Sequence, residues 1–262
     1  MVRTTTVTTL ATDDLPMVRR IGAGDVGAAL RAGWEDFLAN PTPVIFLSVI
    51  YPVIAVVGAL SGSGRDLLPL VWPLVSGFAL VGPLAALGIY EMSRRREQGL
   101  EVSWLNAFDI LRSPSLGSIL ALGVVLLAIF VAWIGAARWI YAQTLGEQAP
   151  ASAAQFARQL FTTDEGWRLV VLGNLAGALF ALVVLALTVV SFPLLLDRPV
   201  SMATAMRTSI RALATNPGPM LLWGAIVGFL LLLGSLPFFV GLAIVLPVLG
   251  HATWHLFRRL VE

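Results

Sequence analysis

Four side chains stand out as capable of chemistry. His251 and His255 are the only histidines of the chain, and a spacing of four residues places both on one face of a helix. Two imidazoles placed in this way could share a metal ion, or each could ligate a haem. Glu91 and Asp197 each end an apolar run, and an ionisable residue in a membrane segment is a candidate functional group. One hypothesis therefore joins all four in a polar cluster at the cytoplasmic mouth of a helix bundle.

A structural role is the competing interpretation for each of the four, and the sequence favours it. The histidines flank Trp254 just before a pair of arginines, a composition typical of a membrane interface. Glu91 precedes Arg94 by three residues and can form an ion pair at a helix end, while Asp197 can cap the helix that follows it. The chain has no cysteine and few carboxylates to complete a metal shell, and no nucleophile lies near a base in the sequence. We therefore predict no enzyme activity and no cofactor, with haem or metal at the histidines as an alternative.

The composition is that of a membrane protein. Hydrophobic residues make up 58% and charged residues 12%, with a mean hydropathy of +0.86. In a soluble domain, about half of the residues are apolar and about a quarter are charged. The apolar residues form uninterrupted runs, and roughly 20 such residues in a helix cross the hydrocarbon layer. We predict an all-α, polytopic membrane protein with six transmembrane helices, at Val44–Leu60, Leu67–Met92, Ser115–Ala137, Trp167–Leu196, Met220–Leu233 and Ser235–Leu256.

The six helices are predicted to form three tandem helical hairpins, because one pattern occurs three times. An amphipathic stretch is followed by Asn-Pro or Ser-Pro and an apolar run, at Ala28–Leu47, Trp104–Leu122 and Ala203–Trp223. Each amphipathic stretch predicts an interfacial helix that lies with its apolar side on the membrane. A residue before proline disfavours the helical conformation, so Asn40, Ser113 and Asn216 mark bends into the next helix.

The repeats also set the domain boundaries. We predict a flexible cytoplasmic N-terminus over residues 1–24 and a six-span membrane domain over 25–262, with repeats at 25–99, 100–199 and 200–262. In the first amphipathic stretch, the predicted apolar face carries Trp34 and Phe37 together with Leu30 and Leu38. Asp36, with Arg31 and Glu35, is predicted to lie away from that face.

The basic residues predict the orientation in the membrane. All 17 are arginine, and most fall on one side of the predicted topology, which the positive-inside rule assigns to the cytoplasm. Both termini are therefore expected in the cytoplasm. The isoelectric point near 9.7 comes from these flanking arginines and indicates contact with anionic lipids of the bilayer rather than with nucleic acid.

Small and weakly polar residues within the spans predict helix packing. Pairs of glycines four residues apart, Gly173 with Gly177 and Gly224 with Gly228, are typical of close contact between membrane helices. Asn174, Thr188 and Ser191 are the polar residues of the fourth span. We expect them to form hydrogen bonds between helices rather than to line a pathway.

Several longer runs resemble a known family. They are EMSRRREQG (Glu91–Gly99), ILRSPSLGSIL (Ile110–Leu120), SFPLLLDRPV (Ser191–Val200), ATNPGPMLLWG (Ala214–Gly224) and LPVLGHATWHLFRR (Leu246–Arg259). Together they resemble a bacterial integral membrane family, the domain of unknown function 2189. The resemblance covers nearly everything after about residue 20 and implies a six-span inner-membrane protein without an established activity. Some members carry the label cytochrome c oxidase subunit I. That label implies a twelve-span protein with six histidine ligands. The present chain has only two histidines and so cannot supply those ligands.

Three functions follow as hypotheses. The first is an accessory or scaffolding membrane protein, associated with the other subunits of a respiratory or other bioenergetic complex. The alternative is a small-solute transporter or channel with a path between the three repeats and selectivity at the cluster of Glu91, Asp197, His251 and His255. The second alternative is a haem- or metal-binding membrane protein that uses the two histidines.

Overall fold

The computed structural model describes residues 15–39, 69–78, 80, 82–146, 150, 152–236 and 239–262. The predicted first span, Val44–Leu60, and the predicted bend at Asn40 lie outside the described residues. The described elements begin with α1 (Ala23–Ala39), α2 (Val71–Phe78), α3 (Gly82–Ala85), α4 (Leu87–Glu97), the 3₁₀ helix η1 (Trp104–Arg112) and α5 (Leu116–Thr144). They continue with α6 (Ala153–Thr162), α7 (Asp164–Thr188), α8 (Ser191–Asp197), α9 (Met202–Thr215), α10 (Pro217–Ser235) and α11 (Leu242–Leu260).

The all-helical prediction is confirmed, and three of the predicted membrane spans are present as long apolar helices. Within the described residues, three helices are long and apolar enough to cross a membrane, at Leu116–Thr144, Asp164–Asp197 and Pro217–Ser235. They match the predicted third, fourth and fifth spans. The described part of the predicted second span is divided among the short helices α2, α3 and α4, and α11 begins only at Leu242. The arrangement of six spans in three hairpins therefore stays a prediction.

Two of the predicted bends before proline are present. Ser113 ends η1 with φ −65° and ψ 136°, and α5 begins three residues later. Asn216 ends α9 with φ −129° and ψ 54°, and Pro217 is the first residue of α10. Proline fits this first turn because its missing N–H would have no partner within the helix. Each bend joins a short amphipathic helix to a long apolar one.

The polar side chains of the fourth span form their recorded hydrogen bonds within their own helix. Asn174 Nδ2 donates to the carbonyl of Val170 at 2.7 Å, and Thr188 Oγ1 donates to that of Val184 at 2.7 Å. Ser191 bonds the carbonyl of Leu187 in the same way. The prediction of bonds between helices was therefore wrong, because a hydroxyl or amide can reach the carbonyl four residues earlier without a neighbouring helix.

The helix that begins at Asp164 is interrupted at its inner end, between α7 and α8. Pro193 has no N–H to donate to the carbonyl of Val189. In addition, the N–H of Val190 donates to a side chain outside its helix, Ser209 Oγ of α9, at 3.2 Å. A side chain inserted into the helix ladder is a common cause of such a break. The break turns the apolar helix α8, whose residues are almost all buried, under α9.

The first and last helices form the most extensive helix pair of the described structure. α1 runs antiparallel to α11, with Asp25 bound to Arg259 at 3.1 Å and Gly33 opposite Ala252. The chain before α1 pairs with the end of the protein, where Val18 forms an isolated antiparallel bridge with Val261. Met17, Val18 and Arg19, from the predicted flexible segment, thus lie against residues 260–262 in the described structure.

Candidate functional site

A buried polar cluster lies where α1, α4 and α11 meet. Two glycines let the three helices approach. A Cβ built on Gly33 of α1 would lie 2.5 Å from the backbone nitrogen of Ala252 in α11. A Cβ on Gly250 of α11 would lie 2.7 Å from Cδ1 of Ile89 in α4. These contacts are closer than any residue with a Cβ allows, so the glycines set the helix spacing on which the cluster depends.

The centre of the buried polar cluster is the carboxylate of Asp36. The Asp36 side chain is only 8% exposed, and Ser93 Oγ of α4 donates to its Oδ2 at 2.7 Å. His255 Nε2 of α11 lies 2.8 Å from the same oxygen. Arg96 Nε contacts the other oxygen, Oδ1, at 3.2 Å. Asp36 thus accepts from both α4 and α11, and it fixes α1 to the other two helices.

The hydrogen bonds of the cluster follow one direction. An ionised carboxylate only accepts, so the single hydroxyl hydrogen of Ser93 goes to Asp36. Ser93 Oγ also lies 2.7 Å from Nδ1 of His251, and with its own hydrogen committed it must accept there. His251 is then the tautomer with a proton on Nδ1 and a lone pair on Nε2. That Nε2 is buried and has no hydrogen-bond partner.

The electrostatics of the cluster favour an ionised Asp36. Burial by itself raises the pKa of the Asp36 carboxyl, because it removes water from the charged form. The hydrogen bonds from His255 and Ser93, together with the nearby imidazoles, outweigh burial and lower the pKa below its ordinary value. The carboxylate therefore stays charged, with Arg96 as its counter-charge and His255 Nε2 at hydrogen-bond distance.

Ser93 and His251 form a nucleophile–base contact that the sequence did not indicate. A serine hydroxyl 2.7 Å from an imidazole nitrogen is the first requirement for nucleophilic catalysis. Here, however, the hydroxyl hydrogen points to Asp36 and the side chain of Ser93 is buried, with 1% of its surface exposed. A substrate carbonyl has no approach to Ser93 Oγ in this arrangement, so the contact is suited to holding helices together.

A second polar group, the polar pocket, lies on another face of α4. It has a volume of about 240 Å³ and is formed by the ends of α4, η1 and α8 and the start of α5. Glu91 and Asp197 both line it. Glu91 is held by Arg94 in a two-point contact, at 2.8 Å and 3.1 Å. Asp197 contacts Arg198 at 3.2 Å and Arg258 at 3.4 Å.

The structure thus divides the four predicted site residues between two places. Glu91 and Asp197 share the polar pocket, whereas His251 and His255 belong to the buried polar cluster around Asp36. The ion pair predicted between Glu91 and Arg94 is present. Trp254, predicted at the membrane interface, is fully buried, and its Nε1 donates to Glu97 at 3.1 Å.

The contacts of the two histidines do not define a shared metal or haem position, because the two rings bond different partners through different nitrogens and Nε2 of His251 is buried without a partner. Nδ1 of His251 bonds Ser93, and Nε2 of His255 bonds Asp36. In the part of the chain that the structure describes, no three histidine and acidic side chains are arranged to hold a metal ion. We therefore derive no chemistry through such a group.

The glycines predicted to pack differ from one another. A Cβ on Gly177 would contact the ring of Trp133 at 3.3 Å, and one on Gly224 would contact Leu185 at 3.0 Å. A Cβ built on Gly173 or Gly228 would have no atom of the described chain within 4 Å, so neither glycine lies at a close helix contact there.

Sequence reasoning missed Asp36, because the pattern of large apolar residues placed it on the solvent side of α1. The buried face instead follows Val26, Ala29, Gly33 and Phe37, and Asp36 lies beside it. Trp34, predicted on the same membrane-facing side as Phe37, is 45% exposed, whereas Phe37 is buried. The signal that could have indicated the correct face is the pair of small residues Ala29 and Gly33, four residues apart, which permits a close helix approach.

The comparisons with known proteins agree with this membrane architecture. Residues 71–197 match the model of a family described as predicted integral membrane proteins, DUF2189. The matched segment runs from α2 through α8 and includes Ser93, Glu91 and Asp197, but neither Asp36 nor the histidines. No curated protein and no solved structure matches the chain. Over residues 71–197, the chain is thus similar to DUF2189, a family of predicted integral membrane proteins.

Proposed function

We propose that the protein is a non-enzymatic accessory or scaffolding component of a bacterial inner membrane, where it associates with other membrane subunits, for example those of a respiratory complex. The observation that carries the proposal is that polar side chains in the three apolar helices form hydrogen bonds within their own helix. Asn174, Thr188 and Ser235 each bond the carbonyl four residues earlier in their own helix. Their polar atoms are therefore satisfied internally and offer little to a solute passing along the helices.

The outer surfaces of these helices support the same proposal. On α5, Leu120, Val124, Leu127 and Val131 are all exposed and recur every three or four residues, which makes one continuous apolar stripe. α7 has a similar stripe, which includes Leu175 and Leu179, and α10 has another, which includes Phe229 and Leu232. Surfaces of this kind are suited to lipid and to the helices of a partner.

The full architecture in this proposal has six spans in three hairpins, both termini in the cytoplasm and an interfacial helix before each hairpin. Several contacts support it. The start of the described chain pairs with its end at Val18 and Val261. Asn216, just before α10, accepts from the N–H of Ile21 at 2.8 Å and donates to the carbonyl of Arg19 at 2.9 Å. The two ends thus lie beside the start of α10, as an even number of crossings requires.

A transporter with a path between the repeats is less well supported. It would place selectivity at a mouth formed by Glu91, Asp197, His251 and His255, but these side chains lie in two separate groups. Ion pairs already engage Glu91 and Asp197. A solute flux into proteoliposomes that is abolished by Glu91→Gln would favour transport over scaffolding.

The scaffold proposal is tested by the mass of the native assembly. The full-length protein is purified from its own membrane in mild detergent and measured by native mass spectrometry. We expect the added mass of at least one other membrane subunit in fixed stoichiometry. A bare monomer, or the protein with lipid alone, would contradict the proposal.

Three matched double variants then identify the surface that binds the partner. They are Leu127→Ala with Val131→Ala on α5, Leu175→Ala with Leu179→Ala on α7, and Phe229→Ala with Leu232→Ala on α10. Each variant trims an exposed apolar stripe but preserves a helix-forming, membrane-compatible sequence. We expect one variant to lose the partner and the other two to retain it. Equal retention by all three would mean that these stripes face only lipid, which the proposal does not allow.

A further inference from the structure

The wall of the polar pocket has three arginines and three carboxylates, but not every arginine is paired with a carboxylate. Three carboxylates line it, and each already has an arginine. Glu91 binds Arg94, and Asp197 binds both Arg198 and Arg258. The third carboxylate, Asp109, contacts Arg95 at 3.5 Å and accepts from the side-chain amide of Asn106 at 2.9 Å.

The unpaired arginine is Arg112. This residue lines the polar pocket at the end of η1 and is exposed, and among the described residues its side chain has neither a hydrogen bond nor an ion pair. The arginines 94, 198 and 112 all contribute to the wall of the pocket. A guanidinium presents several N–H groups in one plane, which matches the oxygens of a phosphate group. An anion in the pocket would therefore meet a donor that the protein itself leaves unused.

The surroundings of the polar pocket also favour an anion at a membrane boundary. Ser113 and Ser115 line it at the start of α5, a helix of 29 residues whose first turn carries the positive end of the helix dipole. On the same element as Arg112, Leu105, Phe108 and Leu111 are exposed apolar residues. A charged wall beside an exposed apolar surface is the arrangement that an amphiphilic phosphate compound requires.

We propose that the polar pocket binds a phosphate group, with Arg112 as its principal donor and Arg198 and the start of α5 beside it. The phosphate could be that of an anionic phospholipid head group or that of a small soluble compound, and both present the same oxygens. This site is independent of the scaffold function, because it needs no partner subunit.

The test uses the full-length protein in detergent with two probes, phosphatidylglycerol and inorganic phosphate. Native mass spectrometry gives the dissociation constant for the lipid, and competition by inorganic phosphate gives that for the free ion. We expect Arg112→Gln to weaken binding of the responding probe about tenfold, the loss typical of a charge-assisted hydrogen-bond pair. Binding of phosphatidylglycerol alone would identify a lipid head-group site, and binding of inorganic phosphate would identify a site for soluble phosphates.

Arg207→Gln is the matched control. Arg207 lies on α9, is also exposed and carries the same charge, but it does not line the polar pocket. Its substitution should change either affinity less than about twofold, as expected for one screened surface charge. Equal losses in the two variants would mean general attraction to a basic surface and would overturn the proposal. So would a wild-type protein that binds neither probe.

Discussion

Helix α4 carries polar groups on two faces, and the two differ in what surrounds them. On one face, Ser93 and Arg96 join the buried polar cluster, in which a single carboxylate accepts hydrogen bonds from Ser93 and His255 and forms an ion pair with Arg96. On the other, Glu91 and Arg94 form part of the wall of an open polar pocket. Glu91 is buried like Asp36, whereas Asp109 and Arg112 of the polar pocket are partly or fully exposed, so the pocket side is the more open of the two. The buried polar cluster pairs its arginine within the protein, whereas the polar pocket has an exposed arginine, Arg112, without a side-chain partner among the described residues.

The largest difference between the two faces should follow from removing a carboxylate. Asp36→Ala leaves Arg96, Ser93 and His255 without their shared acceptor inside the protein, and we expect it to lower the free energy of unfolding by about 3 kcal/mol. Asp109→Ala removes a partly exposed partner of Arg95 from the polar pocket and should cost less than about 1 kcal/mol. Denaturant titration of both variants in detergent measures the difference. Similar losses would show that burial does not separate the two groups.

The next prediction tests the helix spacing that creates the buried polar cluster. Gly33→Ala forces a methyl group against the backbone of Ala252, so α1 must move away from α11, at a cost of about 2 kcal/mol. Gly27→Ala lies on the same helix in open space and should stabilise it by about 0.5–1 kcal/mol. The two changes in unfolding free energy should thus have opposite signs. A stabilising Gly33→Ala would disprove the close approach of the two helices.

A smaller effect is expected from removing single hydroxyls. Ser93→Ala deprives both Asp36 and His251 of a partner in a buried site, and we expect a loss of about 1–3 kcal/mol. Ser115→Ala removes only a long bond, 3.4 Å, to the carbonyl of Arg198 at the polar pocket and should cost about 0.5 kcal/mol. Thermal unfolding of the two variants provides the measurement. A larger loss of unfolding free energy for Ser115→Ala than for Ser93→Ala would contradict the view that the buried polar cluster depends more on its hydroxyl than the polar pocket does.

The smallest expected effect is a dependence on pH. The pKa of Asp36 is lower in the folded protein than in the unfolded chain, where it is about 3.9. Its stabilising contribution is therefore complete above the unfolded pKa and is lost as the pH falls through the folded pKa. The stability difference between the wild-type protein and Asp36→Asn should narrow as the pH falls below about 4. A difference that grows as the pH falls below about 4 would contradict a lowered pKa of Asp36.

Periodicity and proline placement predicted much of the fold. The long apolar runs became α5, the helix pair α7–α8, and α10, because a run of about 20 apolar residues forms a helix in any membrane-like setting. Ser113 and Asn216 bend the chain where a following proline disfavours helix. These features depend on residues close in sequence, so local chemistry is sufficient to predict them.

The site was predicted less well, because it depends on which faces meet. Asp36 looked like a solvent-facing residue, yet α1 turns that side toward α11 through Ala29 and Gly33. Glu91 and the histidines looked like one cluster, yet α4 presents its residues to different neighbours. Neither outcome follows from hydrophobic periodicity, since small residues at a helix contact leave little trace in it.

By itself, the sequence determined the chemical class of this protein and the local elements: apolar membrane helices, amphipathic helices before them, prolines at the bends, and arginines between the apolar runs. Those properties depend on side-chain hydrophobicity and on backbone conformation within a few residues. Only the tertiary structure decided that Asp36, Ser93, His251 and His255 would share a buried network while Arg112 stayed without a partner. The physical reason is that a hydrogen bond forms only when packing brings its two atoms within about 3 Å, and here glycine contacts between helices far apart in sequence set that packing.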